Sequence, residues 1–304
     1  MDVLEQAAVL ALVARAGQPW HETTALIEEA GSALRVVRGT VDGLDWFDPD
    51  EVAALGRRVD APLLDSYADL ISSLTAGGAL LFTVLDRGYP ANLRRVWRRP
   101  PFIVVRGRFV AADDRAVAFS GARQASRAGQ ALARSFARDL AGQGVTVVAT
   151  LDGGVGGATL DAATRAGGRA LGVLTGGVLT PLGSELRGLA ERVAASGALV
   201  SASWPDTPQA LADPAAGDRL AASLALGTVL VDADAADVAD RRTRAFLAEE
   251  GPLFIPRPLA AAGPIAGYAR HPNAVVVGGA DEVADALPAR TGPGQQPVGL
   301  AAAG

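Results

Sequence analysis

Three short apolar runs alternate with helical patterns in the middle of the chain, and this alternation determines the fold class. The runs cover residues 116–119, 145–149 and 169–174. Between the first two runs, Leu132, Phe136 and Leu140 stand four positions apart, which indicates a helix with one apolar face. Strands that are apolar throughout and alternate with helices are typical of a parallel sheet covered on both faces. We therefore predict an α/β fold with a Rossmann-like, mostly parallel sheet and helices on both faces.

Each apolar run ends in small residues just before a helix is predicted to begin. The first run leads into residues 120–123, and the second leads into a glycine-rich turn over residues 151–157. In open α/β sheets, ligands bind at the carboxyl ends of the strands. A helix N-terminus presents unpaired N–H groups and the positive end of the helix dipole, which suit a phosphate. We therefore expect the two turns to lie side by side and to bind an anion. The alternative is a pair of tight turns that bind nothing.

The arginines are concentrated in one segment. The net charge of the chain is −5, but residues 91–138 carry eleven arginines against only Asp113 and Asp114. A local basic band on an acidic protein fits the binding of a phosphate-bearing ligand. Within it, Arg123 directly follows the first strand and could make a bidentate contact to phosphate oxygens. Two alternatives stay open: a solvated surface paired with the acidic residues 1–75, and an ordinary ion pair at Arg123.

The composition excludes several kinds of site. The chain has no cysteine, so disulfides, thiolate metal sites and cysteine nucleophiles are ruled out. His21 and His271 are the only histidines, and they are too far apart in the sequence to suggest a metal site. All 28 basic residues are arginine, which removes a Walker lysine, a Schiff base and a lysine general base. We predict a protein that is not an enzyme and that uses no cofactor.

The composition and the residue patterns of the sequence divide the chain into three parts. Residues 1–76 show successive helical patterns and predict a small all-α domain of the SAM or helix-hairpin-helix kind. Residues 77–287 hold the strand patterns and predict the Rossmann-like domain. Residues 288–304 are rich in Gly, Pro, Gln and Ala, and predict a disordered tail. No apolar run is long enough to span a bilayer and no signal peptide pattern opens the chain, which predicts a cytoplasmic protein without a membrane partner.

A series of short motifs follows one order through residues 79–287. Tyr89-Pro90 and Pro100-Pro101 precede the core, Ser-Gly-Ala-Arg occupies 120–123, and Trp204-Pro205 comes later. In this order and spacing the motifs resemble those of the DprA/Smf family of DNA-processing proteins. The first strand of that family's core ends in Gly-Ser-Arg, and here alanine replaces the serine.

The resemblance implies a function and a set of site residues. Members of the family bind single-stranded DNA in recombination and natural transformation, form homodimers through the α/β domain and hand DNA to the RecA recombinase. The implied partners are therefore single-stranded DNA, RecA and a second copy of the chain. The residues expected to contact DNA or phosphate are Ser120, Gly121, Ala122, Arg123, Ser126, Arg127, Gly153, Gly154, Gly156, Gly176, Gly177 and Arg219.

The chain departs from the family where DNA would bind. The family's Phe-x-x-Arg-Asn-Arg segment falls on residues 214–219, of which only Arg219 matches. Pro214 stands at the aromatic position, and the loss of a stacking aromatic removes about 1–3 kcal/mol per base. Asp152 adds a negative charge to the glycine-rich turn, and the charged run 232–244 replaces the family's Gly-Ser-x-x-Thr-Ala helix start. The chain is therefore identified as a divergent member.

Two other functions stay open. The same cleft would suit a nucleotide or a nucleotide-derived ligand, and a chain that had lost its DNA surface could serve as the structural partner of a paralogue. Residues 153–159 also resemble the Pro-Gly-Gly-x-Gly-Thr turn of the cytokinin-activating nucleotide hydrolases. Ala162 stands where those enzymes carry a glutamate, which argues against that activity.

Overall fold

The computed structural model describes residues 2–17, 19–211, 213–231, 251–261 and 265–288. Within these ranges the strands are β1 (Ala79–Thr83), β2 (Phe102–Gly107), β3 (Ala116–Ser120), β4 (Thr146–Thr150), β5 (Ala170–Val173), β6 (Ala198–Ser201), β7 (Thr228–Leu230), β8 (Leu253–Pro256) and β9 (Ala274–Val277). The helices are α1 (Val3–Ala16), α2 (Trp20–Ala30), α3 (Ala33–Arg38), α4 (Pro49–Arg57), α5 (Ala61–Ala76), α6 (Ala91–Arg94), α7 (Arg127–Gly142), α8 (Val155–Arg165), α9 (Ser184–Ser196), α10 (Pro214–Ser223), α11 (Arg257–Ala260) and α12 (Ala280–Ala286). None of these helices is both long and apolar enough to cross a membrane. The charged run 232–244 and the predicted tail beyond residue 288 lie outside the described residues.

The described strands form one sheet in the order β1-β2-β6-β5-β4-β3-β7-β8-β9. Every neighbouring pair from β6 to β9 is parallel, whereas β1 pairs antiparallel with β2, and β2 antiparallel with β6. Parallel neighbours need long crossover connections, and α7, α8 and α9 supply them. The predicted α/β class with a mostly parallel, Rossmann-like sheet is confirmed.

Successive residues of the central strands pack on opposite faces of the sheet. Ala118 and Val148 belong to one apolar cluster, which also contains side chains of α10 and of the N-terminal helices. Val117 and Val147 belong to a second cluster, formed with α7, α8, α9 and α12. Because successive side chains of a strand point to opposite faces of the sheet, each of these apolar runs contributes to both cores. The carboxyl ends of the strands lie at the edge between the two layers of helices.

Four aromatic rings join the N-terminal helices to the sheet. Trp204, which follows β6, lies 5.1 Å from Phe102 of β2 and 5.7 Å from Tyr67 of α5, measured between ring centroids. Trp20 at the start of α2 lies 5.5 Å from Phe102 and 5.9 Å from Trp204. Burial raises the pKa of the Tyr67 hydroxyl. The helical region therefore packs directly on the β2–β6 side of the sheet, while its predicted boundary as a separate domain at residue 76 stays a prediction.

A buried ion pair ties together the amino ends of the central strands. Asp113, which is 6% exposed, lies just before β3 and accepts hydrogen bonds from Nε and Nη2 of Arg169, each at 2.8 Å. The same carboxylate accepts from the hydroxyl of Thr146 at 3.0 Å and from the backbone N–H of Val110 at 2.8 Å. The guanidinium of Arg169 also donates to two backbone carbonyls. Asp113 and Arg169 therefore hold together the segments that lead into β3, β4 and β5.

Replacing this carboxylate should destabilise the whole fold. Asp113→Ala is expected to lower the free energy of unfolding by about 3 kcal/mol, because Arg169 loses its charge partner and further donors lose their acceptor. Urea unfolding followed by circular dichroism measures the change. The control is Asp139→Ala, which removes the exposed partner of Arg138 and should cost less than about 1 kcal/mol. Equal losses in the two variants would contradict the role given to Asp113.

Candidate functional site

The turns that follow β3 and β4 lie against each other at the carboxyl edge of the sheet. β3 and β4 are parallel neighbours, and the backbone N–H of Val155 donates to the carbonyl oxygen of Ala122 at 3.0 Å. A Cβ atom on Gly154 would overlap the carbonyl oxygens of Ala122 and Arg123. Glycine is therefore required at 154 by the contact between the two turns. The two segments predicted to bind phosphate form one continuous surface.

The carboxylate of Asp152 occupies the N-terminus of α8. Its Oδ1 accepts from the backbone N–H of Gly154 at 2.9 Å and of Gly157 at 3.4 Å, and its Oδ2 accepts from the hydroxyl of Thr150 at 2.9 Å. The side chain is only 9% exposed. A carboxylate at this place satisfies N–H groups and the helix dipole in the way that a bound anion would. The anion position at the glycine-rich turn is therefore filled by the chain itself.

The helix after the glycine-rich turn begins earlier than the sequence indicates. The sequence predicts a start at Ala158, whereas α8 begins at Val155 and has Gly156 and Gly157 in its first turn. A Cβ atom on either glycine would overlap a carbonyl oxygen at the end of β4 or just after it. The two glycines are thus needed for the close approach of helix and strand, which glycine alone permits. A pattern of glycines that resembles an open loop is here part of a packed helix.

The start of α7 is the part of this carboxyl edge that is exposed to solvent. Ser126 caps the helix, and its Oγ accepts from the backbone N–H of Gly129 at 3.0 Å. Arg123 and Arg127 are exposed on the two sides of this cap, and neither forms an ion pair with any residue that the structure describes. Ser120, at the end of β3, is buried, and its hydroxyl has no hydrogen-bond partner among the described residues. Two arginines available to an anion therefore flank a capped helix N-terminus.

The turn after β5 is closed by the chain that follows β6. The backbone N–H of Gly176 donates to Oε1 of Gln209 at 2.8 Å, and that of Gly177 donates to the carbonyl oxygen of Thr207 at 2.8 Å. The hydroxyl of Ser201 donates to the carbonyl oxygen of Gly176 at 2.8 Å. The N–H groups of both glycines are therefore used inside the protein.

Arg219 lines a groove that the predicted site residues of the 120–127 and 153–157 segments do not line. It is exposed on α10, pairs with Asp213 at 3.2 Å and lines a groove of about 700 Å³ between α10 and the start of α2. In the described part of the chain, none of residues 120–127 or 153–157 lines this groove. Further residues that line it are Trp20, His21, Arg98, Arg99, Ser203 and Trp204. The predicted site residues are thus divided between the carboxyl edge and the groove.

Two residues that depart from the family's basic segment are buried against the sheet. Gly217 and Asp218 of α10 stand at the positions where the resemblance implies Arg and Asn, and both are buried. A Cβ atom on Gly217 would lie 2.7 Å from Cγ2 of Thr175 and 3.5 Å from Cγ2 of Thr150. α10 therefore packs too closely on the ends of β4 and β5 to accept a long side chain at 217.

The arginine-rich segment contains both structural and exposed side chains. Three of its arginines form ion pairs, which are Arg99 with Glu28, Arg106 with Glu191 and Arg138 with Asp139. Five others are exposed, and their guanidinium groups form neither an ion pair nor a hydrogen bond within the described ranges, namely Arg95, Arg98, Arg108, Arg123 and Arg127. Pairing with the acidic N-terminal region therefore explains Arg99 but leaves these five arginines available.

Neither the groove nor the exposed Trp97 beside it is among the features predicted from the sequence. Trp97 is 68% exposed and lies between two pairs of arginines, Arg94-Arg95 and Arg98-Arg99. An aromatic ring among arginines is a signal that the sequence did contain. The groove was not visible in the sequence, because its walls come from α2 and α10, which are far apart in the chain.

The fold and the edge define the class of protein. It is a Rossmann-like α/β protein with a basic carboxyl edge, and no cluster of metal-ligating side chains occurs among its described residues. The sequence profile of DNA recombination-mediator protein A matches residues 80–240, which is more than half of the 304 residues. The chain belongs to this family, and family membership gives it a role in DNA processing.

Two solved structures share the fold. DNA processing protein A from Streptococcus pneumoniae is 16% identical, with a TM-score of 0.69, and the match covers 95% of this chain and 99% of that chain. The same protein from Helicobacter pylori, described for its single-stranded DNA binding mode, is also 16% identical, with a TM-score of 0.57 over 68% of this chain and 95% of that chain. At this level of identity the likeness shows the fold alone. No curated protein matches the chain.

The contact between the two turns can be tested at neighbouring glycines. Gly154→Ala should lower the free energy of unfolding by about 1–3 kcal/mol, because the new methyl group overlaps the carbonyl oxygens of the 120–123 turn. Gly153→Ala is the matched control, since a Cβ atom there meets only open space and should change stability by less than about 0.5 kcal/mol. Thermal and urea unfolding measure both changes. Equal stabilities for the two variants would show that the turns are not in contact.

Proposed function

We propose that this protein binds single-stranded DNA and acts in recombination and natural transformation, where it protects incoming DNA and helps to load the RecA recombinase. The observation that carries the proposal is the pair of exposed arginines, Arg123 and Arg127, at the first turn of α7 in a member of this family. The Helicobacter pylori protein, which shares the fold, binds single-stranded DNA, and this supports the choice of ligand. The protein acts by binding and is not an enzyme.

The geometry favours a phosphate contact made by side chains. The N–H groups of Gly154 and Gly157 already donate to Asp152, and those of Gly176 and Gly177 donate within the protein. The guanidinium groups at the start of α7 remain exposed and can meet a phosphate, with the exposed Gly153 beside them. Arginine binds phosphate oxygens through two parallel N–H donors and needs no backbone cradle.

The partners follow from the same proposal. A protein that hands single-stranded DNA to a recombinase works in the cytoplasm, beside RecA, and as a homodimer through the α/β domain. Family membership supports these assignments. A mononucleotide ligand is the competing occupant of the same edge, and it would show no dependence on oligonucleotide length.

The first test is the titration of a labelled oligo-dT with the wild-type chain and with Arg123→Ala, read by fluorescence anisotropy at low and moderate salt. The variant should bind about tenfold more weakly and should lose about one unit of the salt slope, because one charge-assisted phosphate contact is removed. Arg108→Ala is the matched control, since Arg108 is exposed but follows β2 beside the amino end of β6. Absence of binding by the wild-type chain at low salt would overturn the proposal, as would equal losses in the two variants.

Asp152 should weaken this binding through its charge. Asp152→Asn keeps the Oδ1 acceptor for the α8 N–H groups and removes the negative charge next to the phosphate path. Affinity for oligo-dT is therefore expected to rise by about three- to tenfold at low salt, and the gain should shrink at high salt. The same anisotropy titration measures it, with thermal unfolding to verify the fold. A folded variant with unchanged affinity would place the phosphates away from α8.

A further inference from the structure

A tight turn between α6 and β2 presents one aromatic ring and one guanidinium group to solvent. The backbone N–H of Arg99 donates to the carbonyl oxygen of Val96 at 3.3 Å, which places Trp97 and Arg98 at the two central positions of the turn. Trp97 is 68% exposed, and Arg98 is exposed and forms no ion pair with any described residue. A ligand that covers this exposed tryptophan would gain the favourable free energy of burying its apolar surface.

The base of the turn is firmly held. The guanidinium of Arg99 forms an ion pair with Glu28 of α2 and donates to the carbonyl oxygen of Val96 at 2.9 Å. The hydroxyl of Thr24 donates to the carbonyl oxygen of Arg99 at 3.3 Å. Because the base is fixed, Trp97 and Arg98 lose little conformational freedom when a ligand covers them.

A buried tyrosine secures the end of the same turn. The hydroxyl of Tyr89 donates to the carbonyl oxygen of Pro100 at 2.7 Å. Burial raises the pKa of Tyr89 far above its ordinary value, so the hydroxyl keeps its proton and remains a donor. The Tyr89 hydroxyl therefore remains available to anchor the end of the turn.

The turn borders the groove that contains Arg219. Arg98 and Arg99 line one wall of this groove and Arg219 lines the other, against a single carboxylate, that of Asp213. On the other side of the turn, Arg95 is also exposed and unpaired within the described ranges. The surface around Trp97 therefore carries an excess of positive charge, which favours a polyanion over an apolar protein partner.

We propose that the turn of residues 96–99 is a second contact region for single-stranded DNA, in which Trp97 stacks on a base and Arg98, with Arg219 across the groove, contacts the phosphates on either side of it. A ligand that alternates flat rings with phosphates matches an aromatic ring among guanidinium groups. The inference rests on the proposed function and extends the DNA path to the α10 face. In this arrangement Trp97 supplies an aromatic ring for stacking, whereas the family's aromatic position is occupied by Pro214 in this chain.

The test uses the full chain and five variants, with oligo-dT and an abasic oligomer of the same length as probes. Trp97→Ala should reduce affinity for oligo-dT about tenfold with no change in salt slope, because stacking does not release counterions. Trp97→Phe should recover most of the affinity. Arg98→Ala should lower the salt slope by about one unit. On the abasic oligomer, Trp97→Ala should bind like the wild-type chain.

The matched control is Trp46→Ala. Trp46 is 82% exposed and lies between Asp45 and Phe47, in an acidic part of the helical region, so its loss should leave binding unchanged. If Trp97→Ala binds oligo-dT as tightly as the wild-type chain while Arg123→Ala does not, the inference is overturned and the proposed function stands. Equal losses at Trp46 and Trp97 overturn it as well. If the wild-type chain does not bind oligo-dT at all, both proposals fail.

Discussion

The carboxyl edge of the sheet depends on a backbone contact at Gly154. No side chain fits between this residue and the carbonyl oxygens of Ala122 and Arg123, so the turns after β3 and β4 behave as one body. Asp152 completes it by holding the N-terminus of α8 from within the chain. Two backbone amides at this edge are thereby used within the chain, and the phosphate contact that we propose falls to arginine side chains. An amide cradle fixes a phosphate at one point, whereas long side chains adjust to a moving polymer and respond strongly to salt.

The central part of the fold could be predicted because its strands are buried on both faces. Such strands appear in the sequence as uninterrupted apolar runs, and β3, β4 and β5 lie within one residue of the predicted runs. The edge strand β9 was harder to predict. β9 has exposed Val275 and Val276, and a short edge strand of this kind carries no clear period. The start of α8 was predicted too late, since Gly156 and Gly157 resemble loop residues and are in fact required by close packing.

The candidate site could be predicted only in part. The position of Arg123 beyond a strand end follows from the order of the chain alone. The sequence showed Asp152 as an added charge, but its hydrogen bonds to Gly154 and Gly157 depend on how α8 turns back over β4. The groove beside Arg219 depends on two helices brought together by tertiary packing, and no local pattern indicates such a pair. The sequence thus allowed the residue types of the candidate site to be predicted. It did not show that these residues are divided between the carboxyl edge and the groove.

Because of the aromatic contact between the helical region and the sheet, neither region is independent of the other. Phe102 lies on β2 and Trp204 follows β6, and Trp20 and Tyr67 cover both rings from the helices. A chain shortened to begin after α5 would leave two large rings bare and would expose an apolar patch of the kind that drives self-association. It would also remove Glu28, which anchors the turn at Arg99. The helical region and the sheet could therefore be exchanged for those of a relative only together. Helices from another protein, if joined to this sheet, would have to supply both the covering rings and the carboxylate.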